Sequence, residues 1–454
     1  MLRRLAPYLG LGVLLALLVA WWAAPRLVSV FPQQGDVPSG AVPIRLTFTR
    51  PVRLESLTTH VRFTPNVPGA WQVQGTQAIF TPKEPWEPGQ EVTVEVLAGL
   101  KGANGLPLLS GKKWQFTVAP VMLAYLWPAD NPDIYARDLT TDHTQRLTAT
   151  GGVRGYAVSR DGRFVYFSAF NGLGTDILRV DRLTIQGEAV PEAERLLACQ
   201  NDQCLNPQPS PDGRWLAYER SDGPGGASRV HVLALDDRQE NPIIPANHVT
   251  YGPLWSSEGL LAYYDATRRG YVVVKPQDGS EVAFFANDTG ESAAWSPDGH
   301  DLVAVALLLE GGAAATPAPS QAPYLAAHLW RYRLGSHTQP ADLTKDPNLE
   351  DATPSFSPDG EWLAFGRKAL DPEHWTPGRQ LWLMHPDGTA AFQVTHAANY
   401  NHLDFVWHPD ATWLAYARTN QVDLTQPPEV WLYNLQSDES TLVASNAIMP
   451  RWLP

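Results

Sequence analysis

The amino-acid sequence predicts an all-β chain: an N-terminal transmembrane helix, a β-sandwich, and then a seven-bladed β-propeller closed by the C-terminal strand. Three observations support this fold class. An apolar run follows two arginines at the N-terminus, short segments with alternating apolar residues come next, and one turn-plus-strand element then recurs to the end of the chain. The predicted boundaries are 1–25 for the membrane segment, 26–119 for the sandwich and 120–454 for the propeller.

Length and composition narrow the class of protein. A chain of 454 residues is expected to form two or three domains. Hydrophobic residues make up 44% and charged residues 18%, which is typical of globular proteins. The net charge of −13, without runs of Lys and Arg, argues against nucleic-acid binding.

The N-terminal segment is predicted to anchor the chain in a bacterial cell membrane. Arg3 and Arg4 precede the apolar run from Leu9 to Ala24, and apolar flanks extend that run to the ~20 residues that a spanning helix needs. The arginines would keep the N-terminus in the cytoplasm and place the bulk of this single-pass protein outside. The alternative is a signal peptide whose cleavage releases a secreted protein. A cut after Ala24 would place Trp22 at the −3 position, which is a poor cleavage site.

The chain has only two cysteines, Cys199 and Cys204, in the segment ACQNDQC. In an exported protein a pair this close is most simply a disulfide. A redox-active pair usually has the C-x-x-C spacing, and a metal site would need further ligands at suitable spacing.

Residues 26–119 show the period-two alternation of sandwich strands, as in PIRLTFTRPV, EVTVEVLAG and KKWQFTV. Pro and Gly clusters separate these segments. The order of the pieces FPQQGDVPSG, VRFTPNVPGAW and AIFTPKEPWEPGQEVTVEV resembles the bacterial Ig-like domains of surface and S-layer proteins. The resemblance implies an Ig-like sandwich that acts as a spacer or adhesive unit.

From Val121 onward the turn-plus-strand element repeats, with spacings of 41 to 61 residues between copies. Such a period fits one four-stranded propeller blade per repeat. The copies are SRDGRFVYF, SPDGRWLAYE, WSSEGLLAYY, WSPDGHDLVAV, FSPDGEWLAFG and WHPDATWLAYA.

Two fragments complete the repeat. VMLAYLWP at 121–128 has the strand without the turn, and PRWLP at 450–454 has the residues that precede the turn. Joined in space they make a seventh blade whose innermost strand comes from the C-terminus, which would remove an exposed sheet edge. The low-complexity segment Gly311–Pro323 is predicted to be a surface loop of blade five.

The S-P-D-G…LAY repeat closely resembles the TolB-like, WD-repeat-like β-propeller. The resemblance implies the propeller fold over about 330 residues. TolB itself is a periplasmic partner-binding protein with a different N-terminal domain, so its partners are not implied for this chain. The same repeat occurs in prolyl-oligopeptidase-type propellers, but the sequence has no G-x-S-x-G nucleophile elbow.

The turn aspartates Asp212, Asp298 and Asp359 are expected to bond their own turn backbone. The aromatic residues before the turns are expected to pack between blades. The residue five places before each of these aromatic positions is predicted to lie at the entrance of the channel. These entrance residues are Val153, Cys204, Thr250, Gly290, Asp351, His402 and Ala447. Because this set is mixed and is not a cluster of carboxylates or imidazoles, it supports neither a metal ion on the channel axis nor a cofactor. The candidates for a polar binding site at one channel mouth are Arg154, Glu291, Asp351, His402 and Asp404.

Some propeller lyases hold a metal with a cluster of histidines, and the run His396, His402 and His408 can be compared with such a cluster. Ordinary surface or turn histidines are the simpler interpretation.

Two function classes follow. The first is a membrane-anchored extracytoplasmic scaffold that binds protein partners of the cell envelope and has no catalytic residues. The second is a propeller enzyme or carbohydrate-binding protein with its site at the channel mouth.

Overall fold

The structure of the protein is a computed structural model. It describes residues 22–35, 40, 42–185, 187, 189–309, 325–336 and 339–454. The chain forms two compact units, of which the first ends at Val121 and the second begins at Met122.

The first unit is a two-sheet β-sandwich with one short helix, α1 (Leu54–His60). Alternating burial along the strands directs one face of each sheet into a shared core that includes Trp86 and Trp114. One sheet has the order β1-β2-β5-β4 and the other the order β3-β6-β7. The strands are β1 (Leu27–Phe31), β2 (Ile44–Phe48), β3 (Val61–Thr64), β4 (Gly69–Gln74), β5 (Gln77–Pro82), β6 (Glu91–Val96) and β7 (Lys112–Thr117).

The second unit is built from antiparallel meanders that repeat along the chain, each of which we call a blade. Blade 1 consists of β34 (Ile448–Leu453), β8 (Met122–Trp127), β9 (Asp133–Asp138) and β10 (Thr144–Arg146). Blade 2 consists of β11 (Val153–Val158), β12 (Phe164–Phe170), β13 (Thr175–Asp181) and β14 (Glu194–Leu197), with a 3-10 turn at Arg182–Thr184. Blade 3 consists of β15 (Gln203–Pro209), β16 (Trp215–Ser221) and β17 (Arg229–Ala234).

Four more blades follow in the same order of strands. Blade 4 has β18 (Thr250–Trp255), β19 (Leu261–Asp265), β20 (Gly270–Val274) and β21 (Glu281–Ala286). Blade 5 has β22 (Ala293–Trp295), β23 (Asp301–Leu309), β24 (Leu325–Arg333) and β25 (Ala341–Asp342). Blade 6 has β26 (Leu349–Phe356), β27 (Leu363–Ala369), β28 (Gln380–Met384) and β29 (Phe392–Gln393). Blade 7 has β30 (Tyr400–Trp407), β31 (Trp413–Asn420), β32 (Glu429–Asn434) and β33 (Glu439–Ser445).

Blades 2 and 3 share one seven-stranded sheet, because Thr175 of β13 pairs with Gln203 of β15 in a single parallel step. Blade 3 has no fourth strand; only the isolated bridge between Leu233 and Glu240 stands at its outer edge. The segment after that bridge contains Pro242 and Pro245, which cannot donate to a strand ladder.

The predicted fold class is wrong in its transmembrane helix and in its closure. Within the described part of the chain, no helix is long and apolar enough to cross a membrane. Nearly all of the predicted span, residues 1–21 included, lies outside the described residues. The last strand does pair with β8, Trp452 opposite Leu123, but it does so in a four-stranded sheet with two edges. No sheet of the described residues closes on itself.

Aromatic residues before the turns connect successive blades. Each of four tryptophans donates its indole N–H to a main-chain carbonyl on the innermost strand of the preceding blade. The pairs are Trp255 to Gln208 (2.8 Å), Trp295 to Leu254 (3.4 Å), Trp407 to Ser355 (3.0 Å) and Trp452 to Val406 (3.1 Å). In each pair, the acceptor residue immediately precedes the residue of its own blade that occupies the place of the donor tryptophan. The innermost strands of neighbouring blades therefore run in the same direction.

The hydrogen bonds of the S-P-D-G turns explain why the Ser, the Asp and the Gly keep the same spacing in different copies of the repeat. Ser210 Oγ donates to Asp212 Oδ1 (2.6 Å) and accepts the main-chain N–H of Trp215 (2.9 Å). Asp212 Oδ1 also accepts the N–H of Arg214 (3.1 Å), and Gly213 has a φ of +67°. The turns around Asp298 and Asp359 make the same bonds. These aspartates therefore serve their own turns, as we expected. The predicted loop Gly311–Pro323 lies outside the described residues.

Candidate functional site

A cavity of about 750 Å³ runs along the innermost strands of blades 1 to 5. Its apolar wall includes Trp255, while Tyr264 and Tyr271 line it from the outer strands of blade 4. The charged side chains that line it are Arg160, Glu291 and Arg451. This set provides no pair of carboxylates for acid–base chemistry. Among the described residues, no group of three or more His, Cys, Asp or Glu side chains could hold a metal ion.

The innermost strands carry bulges that the sequence did not reveal. In five blades the ladder register shifts at the same place, three residues before the inter-blade aromatic position. The residue there has a left-handed backbone, with φ between +50° and +64°. These residues are Asn206, Gly252, Thr353, Asp404 and Met449. A bulge redirects the side chain that follows it, and four of the five residues are not glycine, so composition gave no signal.

The entrance residues lie between blades. The main-chain N–H of His402 donates to the carbonyl of Arg379 (2.9 Å), the last loop residue before the third strand of the preceding blade. The same bond recurs from Val153 to Pro132, from Thr250 to Ser228 and from Ala447 to Pro428. The entrance side chains are accordingly buried, apart from Gly290, which has none. A Cβ on Gly290 would lie 2.4–2.5 Å from atoms of Tyr264 and Tyr251.

Asp351 is a structural ion-pair partner. Its side chain is 0% exposed, and its two oxygens accept hydrogen bonds of 2.7 Å from Nε and Nη2 of Arg367. Thr344 Oγ1 donates a third bond of 2.7 Å. This bidentate geometry satisfies the buried carboxylate within blade 6. Asp351 does not line the cavity.

His402 is likewise enclosed. Nδ1 lies 2.9 Å from the carbonyl of Arg379, and the ring packs against Tyr416 at 5.6 Å. Nε2 is buried and has no hydrogen-bond partner. Burial lowers the pKa of His402 to about 4, so its imidazole is neutral at pH 7. His408 bonds Asp410 inside its own turn (2.6 Å), and the run His396, His402 and His408 does not form a metal site.

The other three candidates are more accessible. Glu291 is exposed and lines the cavity. Arg154 is exposed, with its guanidinium 6.0 Å from the ring centre of Phe170. Asp404 is half-buried at a bulge. Of the five candidates, only Glu291 contributes to the cavity, so the structure does not gather them into one site.

Cys199 and Cys204 form a disulfide. It joins Cys199, in the loop that leaves blade 2, to Cys204, in strand β15 of blade 3, and both cysteines are buried against Ile177 and Tyr218. Thr175 Oγ1 accepts the N–H of Cys204 (2.7 Å) and donates to the carbonyl of the same residue (3.0 Å).

A second candidate surface consists of six large apolar side chains at or near the loops between second and third strands. We call it the apolar arc. Five of its members are the most exposed large apolar residues of the described propeller. The arc comprises Trp127 (41% exposed), Phe170 (50%), Leu173 (73%), Trp375 (53%), Val422 (64%) and Leu424 (81%). The loops belong to blades 6, 7, 1 and 2.

These four blades are neighbours, and their loops emerge on one face. In each blade the second strand ends opposite the start of the innermost strand, as Ala169 pairs with Val153 and Asn420 with Tyr400. Since the innermost strands run in the same direction, the loops share one side of the ring. The bonds to the carbonyls of Arg379, Pro428 and Pro132 link blade 6 to 7, 7 to 1 and 1 to 2. Runs such as QVDLTQPP have the composition of polar turns, so nothing in them predicts that their apolar residues lie on one face.

The comparisons with known proteins support the identity of the first unit. Residues 23–118 match the family model of the bacterial Ig-like domain, which confirms that prediction. No curated protein matches the chain. Among solved structures, TolB from Acinetobacter baumannii is similar at 12% identity and a TM-score of 0.45, covering 82% of this chain and 81% of that one.

Two further solved structures show a likeness at low identity. The β-propeller domain of the Trilobed protease from Pyrococcus furiosus has 10% identity and a TM-score of 0.45, covering 64% of this chain and 82% of that one. Oligogalacturonate lyase in complex with manganese has 18% identity and a TM-score of 0.33, covering 72% and 73%. Likenesses at this level carry no information on activity. The chain thus combines a match to the bacterial Ig-like domain, over residues 23–118, with a second unit built from repeated, mostly four-stranded blades.

Proposed function

We propose that this protein is an extracytoplasmic protein-binding module of the bacterial cell envelope, and that it binds its partner through the propeller face that carries the apolar arc. The observation that carries the proposal is the arc itself. Clustered exposed apolar side chains mark interaction surfaces in soluble proteins. On the described part of the opposite face, the exposed large apolar residues at or near the turns are Leu139, Val190, Val282 and Phe392, and none of them is more than 42% exposed.

Two features support the compartment and the role. The Cys199–Cys204 disulfide suits an oxidising environment outside the cytoplasm. The bacterial Ig-like domain is a module found in surface proteins, as the sequence resemblance implies. A binding role is favoured over catalysis because the charged residues of the central cavity, Arg160, Glu291 and Arg451, form no acid–base pair.

Site-specific photo-crosslinking in intact cells tests this function. A photoreactive residue is placed in the full chain at position 424 or 375 in the arc. Position 442 serves as the control, since Leu442 is also an exposed apolar residue (48%) but lies on the outer strand β33. We expect one protein to be crosslinked from both arc positions and not from position 442. Crosslinks to no protein from either arc position, together with turnover of an added oligosaccharide, would establish the enzyme alternative instead.

A further inference from the structure

The loops that carry the apolar arc also carry a particular charge. The loop 421–428 places Asp423 between Val422 and Leu424. The loop 370–379 places Asp371 and Glu373 just before Trp375, and Asp130 follows Trp127 by three residues. Asp130, Glu373 and Asp423 are exposed. The apolar side chains of blades 6, 7 and 1 are therefore interspersed with carboxylates.

Two of these carboxylates, Asp371 and Asp423, have pKa values below the ordinary value for aspartate. A hydrogen bond from His374 lowers the pKa of Asp371, and a hydrogen bond from Thr425 lowers the pKa of Asp423. Each bond favours the charged form because it stabilises the anion.

Few positively charged side chains accompany these carboxylates. Within the four loops the basic side chains are His374, which bonds Asp371, and Arg379, whose guanidinium bonds Glu350. Arg154 is exposed beside Phe170, at the blade 2 end of the arc. Lys368, at the end of β27, pairs with Glu350 at 3.4 Å. The surface is thus apolar and acidic over blades 6, 7 and 1, with one cation at its blade 2 end.

This chemistry points to one kind of occupant. Resting on the proposed function, we propose that the apolar arc binds a polypeptide segment of a partner protein in which large apolar side chains alternate with Lys or Arg. Charge complementarity of this kind sets specificity and the rate of association. A second copy of the chain would bring Asp423 and Glu373 against their own counterparts, and an anionic bilayer would be repelled by the same groups. Both are therefore disfavoured.

The test compares two synthetic peptides of equal length with the same Leu and Trp positions, one with Lys and one with Glu at the intervening positions. Binding to the full chain is measured by fluorescence anisotropy at two salt concentrations. We expect the Lys peptide to bind at least about tenfold more tightly than the Glu peptide, and its affinity to fall as salt is raised. Vesicles of zwitterionic and of anionic lipid are measured in parallel with the parent chain and with L424S/W375S, because the apolar run Leu9–Ala24 of the full chain can itself bind lipid. We expect no difference in vesicle binding between the two proteins.

Charge-reversed variants locate the site. E373K/D423K should abolish the preference for the Lys peptide. E258K/E439K changes the net charge equally at exposed residues away from the arc, in the S-S-E-G turn and at the start of β33, and should bind as the parent does. L424S/W375S should weaken binding of the Lys peptide at least fivefold, whereas L442S should not.

Equal binding of the two peptides, equal loss in both charge-reversed variants, absence of peptide binding, or vesicle binding that L424S/W375S loses would overturn the inference. The proposed function has a separate outcome. If positions 424 and 375 crosslink a protein in cells but the crosslinked segment lacks Lys and Arg, the binding role stands and the basic partner segment does not.

Discussion

The indole N–H of Trp407 donates a hydrogen bond of 3.0 Å to the main-chain carbonyl of Ser355, and this bond joins blade 7 to blade 6. Trp295 makes the corresponding contact between blades 5 and 4 at 3.4 Å. Both side chains are 8% exposed, so they differ chiefly in the quality of this bond. Phe356 occupies the same position in blade 6 and cannot make it.

The two tryptophans therefore form a matched pair for measuring the inter-blade bond. Trp407→Phe should lower the free energy of unfolding by about 1 kcal/mol more than Trp295→Phe, because a well-formed bond is lost in the first and a long one in the second. Denaturant unfolding of the two variants and the parent measures the difference. Equal losses would mean that the bond at Trp407 contributes no more than the bond at Trp295.

Asp351 and Arg367 should behave as a buried pair. Asp351→Leu leaves a guanidinium without its partner in blade 6 and should cost about 3–5 kcal/mol of stability. The double variant Asp351→Leu/Arg367→Met should be less destabilised than the single variant, since no buried charge remains. The exposed pair of Asp288 and Arg269 is the control, and Asp288→Ala should cost less than about 1 kcal/mol. Additive effects of the two buried changes would contradict this account.

His402 should make the protein sensitive to acid. The folded protein holds the pKa of His402 at about 4, below its ordinary value of 6.5. Between these two pH values the unfolded chain binds a proton that the folded chain does not, so stability falls as the pH drops from 6.5 to 4, by about 3 kcal/mol. His402→Asn keeps a donor for the Arg379 carbonyl and removes the titration, so its stability should fall less over this range.

Unfolding midpoints across pH 4–7 measure the effect of His402. His143→Asn, a change at an exposed histidine, should leave the pH profile of the parent unchanged. If His402→Asn follows the parent profile throughout, the histidine is not the source of the acid sensitivity.

The last turn of the repeat contains a strained residue. Ala411 takes the place that Gly213 has in the second turn of the repeat, yet its φ is +62°. A left-handed conformation costs a residue with a Cβ about 1–2 kcal/mol. Ala411→Gly should therefore stabilise the protein by about 0.5–1 kcal/mol, the gain being reduced by the flexibility of glycine. Gly213→Ala should destabilise it by about 1 kcal/mol, since open space surrounds its Cβ position and only the backbone opposes the change. Thermal unfolding of both variants should give shifts of opposite sign.

The sequence predicted the blades well because each repeat encodes its own turn. Ser210, Asp212 and Gly213 are each required by a bond or a backbone angle, and those requirements recur in every copy that keeps the motif. The pairing of Trp452 with Leu123 was predictable for the same reason, since each end of the propeller holds half of a repeat.

The site could not be predicted from the same alignment. Counting back five residues from Phe356 and Trp407 selected Asp351 and His402, but a bulge two residues later shifts the register of each strand. Both side chains consequently lie between blades. The apolar arc escaped notice because Leu173, Trp375 and Leu424 are far apart in the sequence, and only the ring places their loops on one face.

The pairing of β34 with β8 has a consequence for how the protein is made. About 320 residues separate Leu126 from Ile448, which face each other where these two strands pair. At a synthesis rate of roughly 5–20 residues per second, β8 emerges tens of seconds before the strand that covers its inner edge. During that interval Leu123 and its neighbours present an unpaired ladder to the surroundings. The first propeller strand to be made is thus the last to acquire the partner on its inner edge.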